Sequence, residues 1–124
     1  MNGLMKSITM KKIKIGYSDY KIIDNDDEKL DGQFIHTDKV ITITPSLSSS
    51  DRLNTLIHEI LHGVCLHWGV GETIKTKNAE EAIITSIANG LTNVIRDNPE
   101  FLPNLNELAQ SKDWNDQTGN SRIS

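Results

Sequence analysis

The sequence contains only one cysteine in 124 residues, and it has no long apolar run. A single cysteine excludes an internal disulfide and is typical of a protein that works in the cytoplasm, including the cytoplasm of a host cell. No apolar segment approaches the ~20 residues that a membrane-spanning helix needs. Residues 1–14 lack the apolar segment and the cleavage site of a signal peptide. We therefore expect a cytoplasmic protein with no membrane partner.

Positive charge is also scarce, because 13 lysines and arginines stand against 17 aspartates and glutamates, a net charge of −4. No basic stripe is present, which argues against nucleic acid as the main partner. Hydrophobic residues make up 36% of the chain, enough for one core. We predict a single domain over residues 1–112, in which residues 1–10 form a loose leader. A polar, frayed tail is predicted for residues 113–124.

The first half of the chain alternates like short strands, and the second half has helical spacing. We predict strands at residues 11–17, 20–23, 33–36 and 39–44. The first two are joined by a turn at Ser18 and Asp19, and the last two pair across a turn at Thr37 and Asp38. Helices are predicted at residues 48–68, at residues 78–97 and within residues 100–112. This order predicts an α+β fold, with a short antiparallel or mixed sheet followed by three helices.

Residues 58–62 have the form H-E-x-x-H inside the first predicted helix. Side chains four apart on a helix share one face, so His58 and His62 can direct both imidazoles at one ion. Two imidazoles suit zinc. Glu59 lies roughly 100° around the helix from His58, beside the ion rather than among its ligands. A carboxylate there can take a proton from a zinc-activated water, which is the general-base role in a zinc hydrolase.

A plainer interpretation of this motif is a surface helix with two ordinary histidines. The apolar residues around the motif argue against it, because they cover roughly 200° of the helix circumference and predict a mostly buried helix. These residues are Leu53, Leu56, Ile57, Ile60, Leu61, Val64 and Trp68. The remaining strip carries both histidines with Asn54, Thr55 and Cys65. Buried polar side chains need partners, and a metal ion supplies one.

A catalytic zinc usually has three protein ligands, and Glu80 and Glu81 are the downstream candidates for the third. Glu80 shares a strip of the second helix with large apolar residues, which we expect to be buried most deeply. Glu81 shares a strip with small residues, which would let the first helix come close. The first strip continues through Ile84, Ile87 and Leu91, and the second through Thr85, Ala88 and Thr92. Either carboxylate can also be a solvated residue, since negative charge is favourable at a helix N-terminus.

H-E-x-x-H followed by eighteen residues and then Glu81 resembles the pattern of the gluzincin zinc metallopeptidases. In size and order the chain also resembles small phage- and bacterium-encoded metallopeptidase-like proteins, over roughly residues 13–99. The resemblance implies a minimal zincin fold with zinc held by His58, His62 and Glu81, and with Glu59 as the catalytic base. We favour Glu81 over Glu80 on this basis.

The resemblance carries two further expectations. An edge strand such as Val40–Thr44 should line the substrate cleft. The gluzincins usually have an aspartate that orients a zinc histidine at the position of Thr85, and the threonine departs from that pattern.

The other two histidines have simpler interpretations. His67 lies roughly 180° from His58 on the helix, so we interpret it as a packing residue. His36 lies on or near the third and fourth strands. It could bind substrate or stabilise an oxyanion, but an ordinary strand histidine is the simpler interpretation.

Four other side chains are weaker candidates. Tyr17, Tyr20 and Arg52 could polarise a substrate. Cys65 follows His62 by three residues and lies near the histidine strip. It is interpreted as a small buried residue, with zinc-competing thiolate as the alternative.

Together these features predict a zinc metallopeptidase that acts on a protein or peptide substrate, with Glu59 accepting and returning a proton. The alternative from another class is a binding or assembly module of a phage or mobile element that keeps the zincin scaffold with little catalysis. A purely structural zinc site is the third possibility. Glu59 argues against it, because such a site has no use for a carboxylate beside the histidines.

Overall fold

A computed structural model describes residue 8, residues 10–26 and residues 29–113 of the chain. The predicted leader and tail lie outside these residues, apart from Ile8, Met10 and Asp113. The predicted α+β fold is confirmed: a four-stranded mixed sheet is followed by three helices.

The sheet has the spatial order β1-β2-β4-β3. Its strands are β1 (Lys12–Ile15), β2 (Ser18–Asp24), β3 (Gly32–Ile35) and β4 (Val40–Ile43). The pairs β1–β2 and β3–β4 are antiparallel, whereas β2 and β4 run parallel. The buried core of the sheet is formed by Ile15, Tyr20, Ile41 and Ile43.

The two hairpin turns differ in how well the sequence predicts them. The turn at Thr37 and Asp38 is confirmed, with the Lys39 N–H donating to the His36 carbonyl. The turn predicted at Ser18 and Asp19 is wrong, because Ser18 pairs with Ile15 inside the ladder. The chain turns instead at Gly16 and Tyr17, where Gly16 has φ +63°. A side chain at Gly16 would also collide with the His67 ring. Glycine is therefore favoured there both by the positive φ and by the lack of space.

The strand predicted at Val40–Thr44 is not an edge strand. β4 lies between β2 and β3, and residues 41–44 are all buried. An unbroken buried run is typical of an inner strand that is covered on both faces. The edge that faces the first helix is therefore β3, whereas the resemblance to zincins had suggested β4.

The first helix, α1, spans Ser49–His67, close to its prediction. The Ser48 hydroxyl accepts a hydrogen bond from the Asp51 N–H and caps the first turn. The helix ends at Trp68, whose N–H donates to the Val64 carbonyl.

The buried strip of α1 differs from the predicted apolar face. It consists of Arg52, Thr55, Glu59 and Gly63, while Leu56, Ile60 and Val64 are partly buried against the sheet. Trp68, predicted to be buried, is 64% exposed. Gly63 lets α1 lie close to the side chains of β1 and β3, because a Cβ on Gly63 would lie 2.8 Å from Ile15 Cδ1 and 3.1 Å from the Phe34 ring.

The second helix, α2, spans Lys77–Asp97 after a 3₁₀ turn at Val70–Glu72. The Thr76 hydroxyl accepts from the Ala79 N–H at its start. The strip that Glu80 shares with Ile84, Ile87 and Leu91 was predicted to be the most buried face, and Ile84 is buried and Leu91 half-buried, but Ile87 is 46% exposed. The buried residues of α2 are Ile84, Ala88 and Thr92.

The third helix, α3, spans Phe101–Ala109. Contacts divide the chain after Thr92 into a unit with the sheet, α1 and most of α2, and a unit with the end of α2 and α3. In the described residues, no helix has the length and apolar character needed to cross a membrane.

Candidate metal centre

His58, His62 and Glu81 bring one ligand atom each to a common point. Their candidate atoms all lie within 4.8 Å of one another. The Glu81 carboxylate reaches the Nε2 atoms of both rings, at 2.8 Å for His58 and 3.1 Å for His62. The rings are 5.0 Å apart between centroids. The structure thus brings together the three residues that the sequence predicts as metal ligands.

Glu80 occupies a different position from Glu81. Its Oε1 lies 3.3 Å from Nδ1 of His62, the ring nitrogen on the far side from Glu81. A carboxylate can only accept a hydrogen bond, so in this contact the Nδ1–H donates to Glu80. The two neighbouring glutamates therefore contact opposite nitrogens of one imidazole.

The packing of α2 on α1 explains why Glu81 reaches the histidines. Glu81 lies on the same strip of α2 as the buried residues Ala88 and Thr92. Farther along, the Asn54 side-chain amide donates to Asn89 Oδ1 at 2.9 Å and to Thr92 Oγ1 at 3.2 Å. These contacts set the register of the two helices, so that the first turn of α2 lies beside the motif.

Glu59 is buried against the sheet, with 7% of its surface exposed. The Phe34 backbone N–H hydrogen-bonds to its carboxylate. Burial raises the pKa of Glu59, and the neighbouring charge of Glu81 adds to this, while His58 and His62 oppose it. Glu59 is therefore held beside the histidine pair by the edge strand.

The outward edge of β3 can be traced from one hydrogen bond. The Thr44 N–H donates to the Asp31 carbonyl at 2.8 Å. Backbone groups alternate in direction along an antiparallel pair, so Gln33 and Ile35 face β4 as Asp31 does. Gly32 and Phe34 therefore direct their N–H and C=O groups to the free side of the strand.

A cleft of about 910 Å³ connects these features. Its walls include Gln33 and Phe34 of β3, Glu59 and His62 of α1, and Glu81 of α2. His36 and Cys65 also line it. Two of the candidate ligands, His62 and Glu81, thus line one concave space together with Glu59, and it is large enough for several residues of a peptide.

The electrostatics of Glu81 favour its charged form. Burial alone would raise the pKa of this carboxyl, but hydrogen bonds from His58 and His62 and their charge outweigh burial and lower it. Glu81 is thus already in the charged form that a metal ligand needs, and a metal ion would take the place of the protons on the Nε2 atoms of His58 and His62.

The weaker candidates are distributed over different places. Tyr17 is 98% exposed in the first hairpin turn, outside the cleft wall, and Arg52 is buried. Tyr20 is fully buried and hydrogen-bonds to both His36 and His67. Burial and the charge of Glu80 raise the pKa of Cys65, which disfavours the thiolate that would compete for zinc.

Two functional contacts have only faint sequence signals. The Phe34 bond to Glu59 depends on a backbone group, which no residue pattern encodes. The place of Glu80 on the second nitrogen of His62 could be anticipated only as an alternative to Glu81. His67 is a polar partner of Tyr20 as well as a packing residue, and its distance from the motif gives no sign of this.

No family model, no curated protein and no solved structure matches this chain.

Proposed function

We propose that this protein is a zinc-dependent peptidase, with His58, His62 and Glu81 as metal ligands and Glu59 as the general base. The convergence of three ligand atoms within 4.8 Å carries the proposal. Two imidazoles and one carboxylate are a donor set used by catalytic zinc, and they leave a position open. Two of the donors, His62 and Glu81, lie at the wall of a cleft, where a substrate can reach them.

Bound zinc would supply a Lewis acid that polarises a carbonyl and makes water more acidic. The residues of the chain supply the rest. Glu59 lies next to the ligands with a raised pKa, which makes its carboxylate a better proton acceptor near neutral pH. It can take a proton from water and return it to the departing amine.

Glu80 has a positioning role in the proposed site. When Nε2 of a histidine binds a metal, the other ring nitrogen usually donates to a carboxylate, which fixes the orientation of the ring. Glu80 makes this contact with His62. The gluzincins place an aspartate where this chain has Thr85, and Glu80 offers a carboxylate in its stead.

The substrate class follows from β3. The free edge of a strand can pair with an extended peptide through backbone hydrogen bonds. At this edge the N–H and C=O of Gly32 and the C=O of Phe34 can pair with a substrate, while the Phe34 N–H is bonded to Glu59. We therefore propose a protein or peptide substrate that adds a strand to β3.

We also propose that the protein works in the cytoplasm, because Cys65 is its only cysteine.

The rival proposal, a binding or assembly module on a zincin scaffold, shares the cleft and the metal but not the chemistry. Buried Glu59 favours the peptidase, because burying a carboxylate is costly and a binding module gains nothing from it at that place.

The test combines zinc analysis with the Glu59→Gln variant, in protein purified without a histidine tag. We expect about one equivalent of zinc in both proteins after zinc is supplied. Hydrolysis of fluorescent casein and of a mixed peptide library should fall by ~10²–10⁴-fold in Glu59→Gln, the usual contribution of a general base. Glu107→Gln, on α3, makes the same chemical change outside the cleft and should leave both readouts unchanged.

The two readouts separate the possibilities. Less than about a tenth of an equivalent of any divalent metal would reject the metal site. Zinc without hydrolysis in the parent protein would leave the binding module as the better account.

A further inference from the structure

A second polar cluster lies at one end of the same cleft. The Tyr20 hydroxyl lies 2.7 Å from Nδ1 of His36 and 2.8 Å from Nε2 of His67, and Tyr20 itself is fully buried. These three side chains come from β2, from the β3–β4 turn and from the last turn of α1. Of the three, His36 reaches the cleft wall.

Lys39 adds a positive charge to this cluster. Its Nζ lies 3.3 Å from Nε2 and 3.5 Å from Nδ1 of His36, and 3.3 Å from the His36 carbonyl. Nearly equal distances to both ring nitrogens place the ammonium over the ring face and not on either lone pair, an arrangement that suits a neutral imidazole. Partial burial, then the charge of Lys39, then His67 lower the pKa of His36.

The ammonium of Lys39 and Nε2 of His36 are both available to a ligand. Among the described residues, no carboxylate lies within 4.0 Å of the Lys39 ammonium. The subsite needs the proton of the neutral His36 ring on Nε2, which is the case when the Tyr20 hydroxyl donates to Nδ1, and the Nε2–H can then donate to a ligand. Nε2 and the Lys39 ammonium are 3.3 Å apart, a spacing that two oxygens of one carboxylate can span.

The place of His36 in the sequence, relative to Phe34, shows how far His36 lies from Glu59 and the bond that is cut. Phe34 hydrogen-bonds to Glu59, and His36 follows two residues later at the start of the β3–β4 turn, so its Cα lies within about 7 Å of that of Phe34. The cleft wall thus carries Glu59, Glu80 and Glu81 on the helices and His36 on the side of the sheet, with Lys39 beside His36.

We propose that His36 and Lys39 form a carboxylate-binding subsite, which selects peptides with an acidic group about two residues from the bond that is cut. This inference rests on the proposed function, because that function says which peptide bond is cut. Binding of the acidic group itself does not depend on catalysis. Tyr20 and His67 are positioning residues, because they fix the His36 ring from behind. The carboxylate can be a Glu or Asp side chain or the C-terminus of the peptide.

The test uses capped hexapeptides in which one Glu occupies each position in turn, with matched Gln peptides and with Gln peptides that have a free C-terminus. Binding is measured by calorimetry to the full chain carrying Glu59→Gln, and the ¹⁵N shifts of the His36 ring are followed by NMR. One Glu position should bind about tenfold or more tightly than its Gln match and move the His36 signals. A preference for the free C-terminus instead would assign the subsite to that carboxylate.

Two variants complete the test. Lys39→Gln should abolish the preference for acid, and Lys12→Gln, on the opposite edge of the sheet, should keep it. Equal binding of the Glu and Gln peptides, or a preference that survives Lys39→Gln, would overturn the subsite. Acid-selective binding in a chain without peptidase activity would support the subsite and reject the peptidase, and peptidase activity without acid preference would do the reverse.

Discussion

The four histidines of the chain form two pairs of similar geometry. The rings of His58 and His62 are 5.0 Å apart between centroids, and those of His36 and His67 are 5.8 Å apart. The first pair faces two glutamates at a partly exposed place between α1 and α2. The second pair shares one buried hydroxyl, that of Tyr20, beside the ammonium of Lys39. The partners of the histidines, and not the spacing between their rings, therefore distinguish the two pairs: carboxylates face His58 and His62, whereas burial and the ammonium of Lys39 lower the pKa of His36.

The largest effect on the first histidine pair is expected from removing Glu81, which should lower its affinity for zinc. Glu81→Ala leaves only two imidazoles, so zinc affinity should fall by far more than 100-fold, beyond the ~10–100-fold typical of a loss outside the ligand set. Competition with a weak chelator measures this. If Glu81→Ala holds zinc as tightly as the parent, the first pair is no gluzincin site and another residue supplies the third bond.

Removing Glu80 should have the next largest effect. Glu80→Ala deletes the acceptor on Nδ1 of His62 and should weaken zinc binding by ~10–100-fold while the stoichiometry stays at one. Glu80→Gln keeps an oxygen acceptor and should restore part of the loss. Release of zinc from Glu80→Ala but not from Glu81→Ala would exchange the roles of the two glutamates.

Deleting the hydroxyl of Tyr20 tests the second pair. Tyr20→Phe leaves two ring nitrogens without their shared partner, and the free energy of unfolding should fall by roughly 1–2 kcal/mol. Zinc affinity should stay unchanged, because Tyr20 contacts neither ligand histidine. Urea unfolding of the metal-free protein gives the first quantity. A change in zinc affinity without a change in stability would show that the two pairs are coupled.

The smallest expected effect is on the pH dependence of stability. The pKa of His36 is lowered in the folded protein, so folding favours the neutral ring. This contribution is present above the unfolded pKa of about 6.5 and is lost as the pH falls through the folded value. The parent should therefore lose more stability than His36→Gln between about pH 8 and about pH 5. An identical pH profile for the two proteins would contradict the neutral state of His36.

Local signals explain what the sequence could predict. Ser48 and Asp51 mark the start of α1, alternation marks β1 and the β3–β4 hairpin, and helical spacing puts His58 and His62 on one face. Each of these depends on residues that are close together in the chain. They sufficed for the fold class and for the convergence of the two histidines with Glu81.

Contacts between distant segments explain what the sequence could not predict. The parallel pairing of β4 with β2 makes β3 the edge strand, and this pairing depends on tertiary packing. Gly63 lets α1 lie close to β1 and β3, so the most buried strip of the helix is the one that contains Gly63. The apolar pattern had predicted a different strip. The link between Phe34 and Glu59 uses a backbone N–H, which is the same in every residue except proline.

The two edges of the sheet differ in how they avoid association with other chains. A free edge strand can recruit a strand from a second molecule. On β1, the exposed side chains of Lys12 and Lys14 would oppose like charges in an approaching copy. β3 has no charged residue, but its outward edge faces the cleft and the Phe34 N–H is already bonded to Glu59. One edge repels strands by charge, while the other lies in the cleft, where one of its outward N–H groups already has a partner on α1.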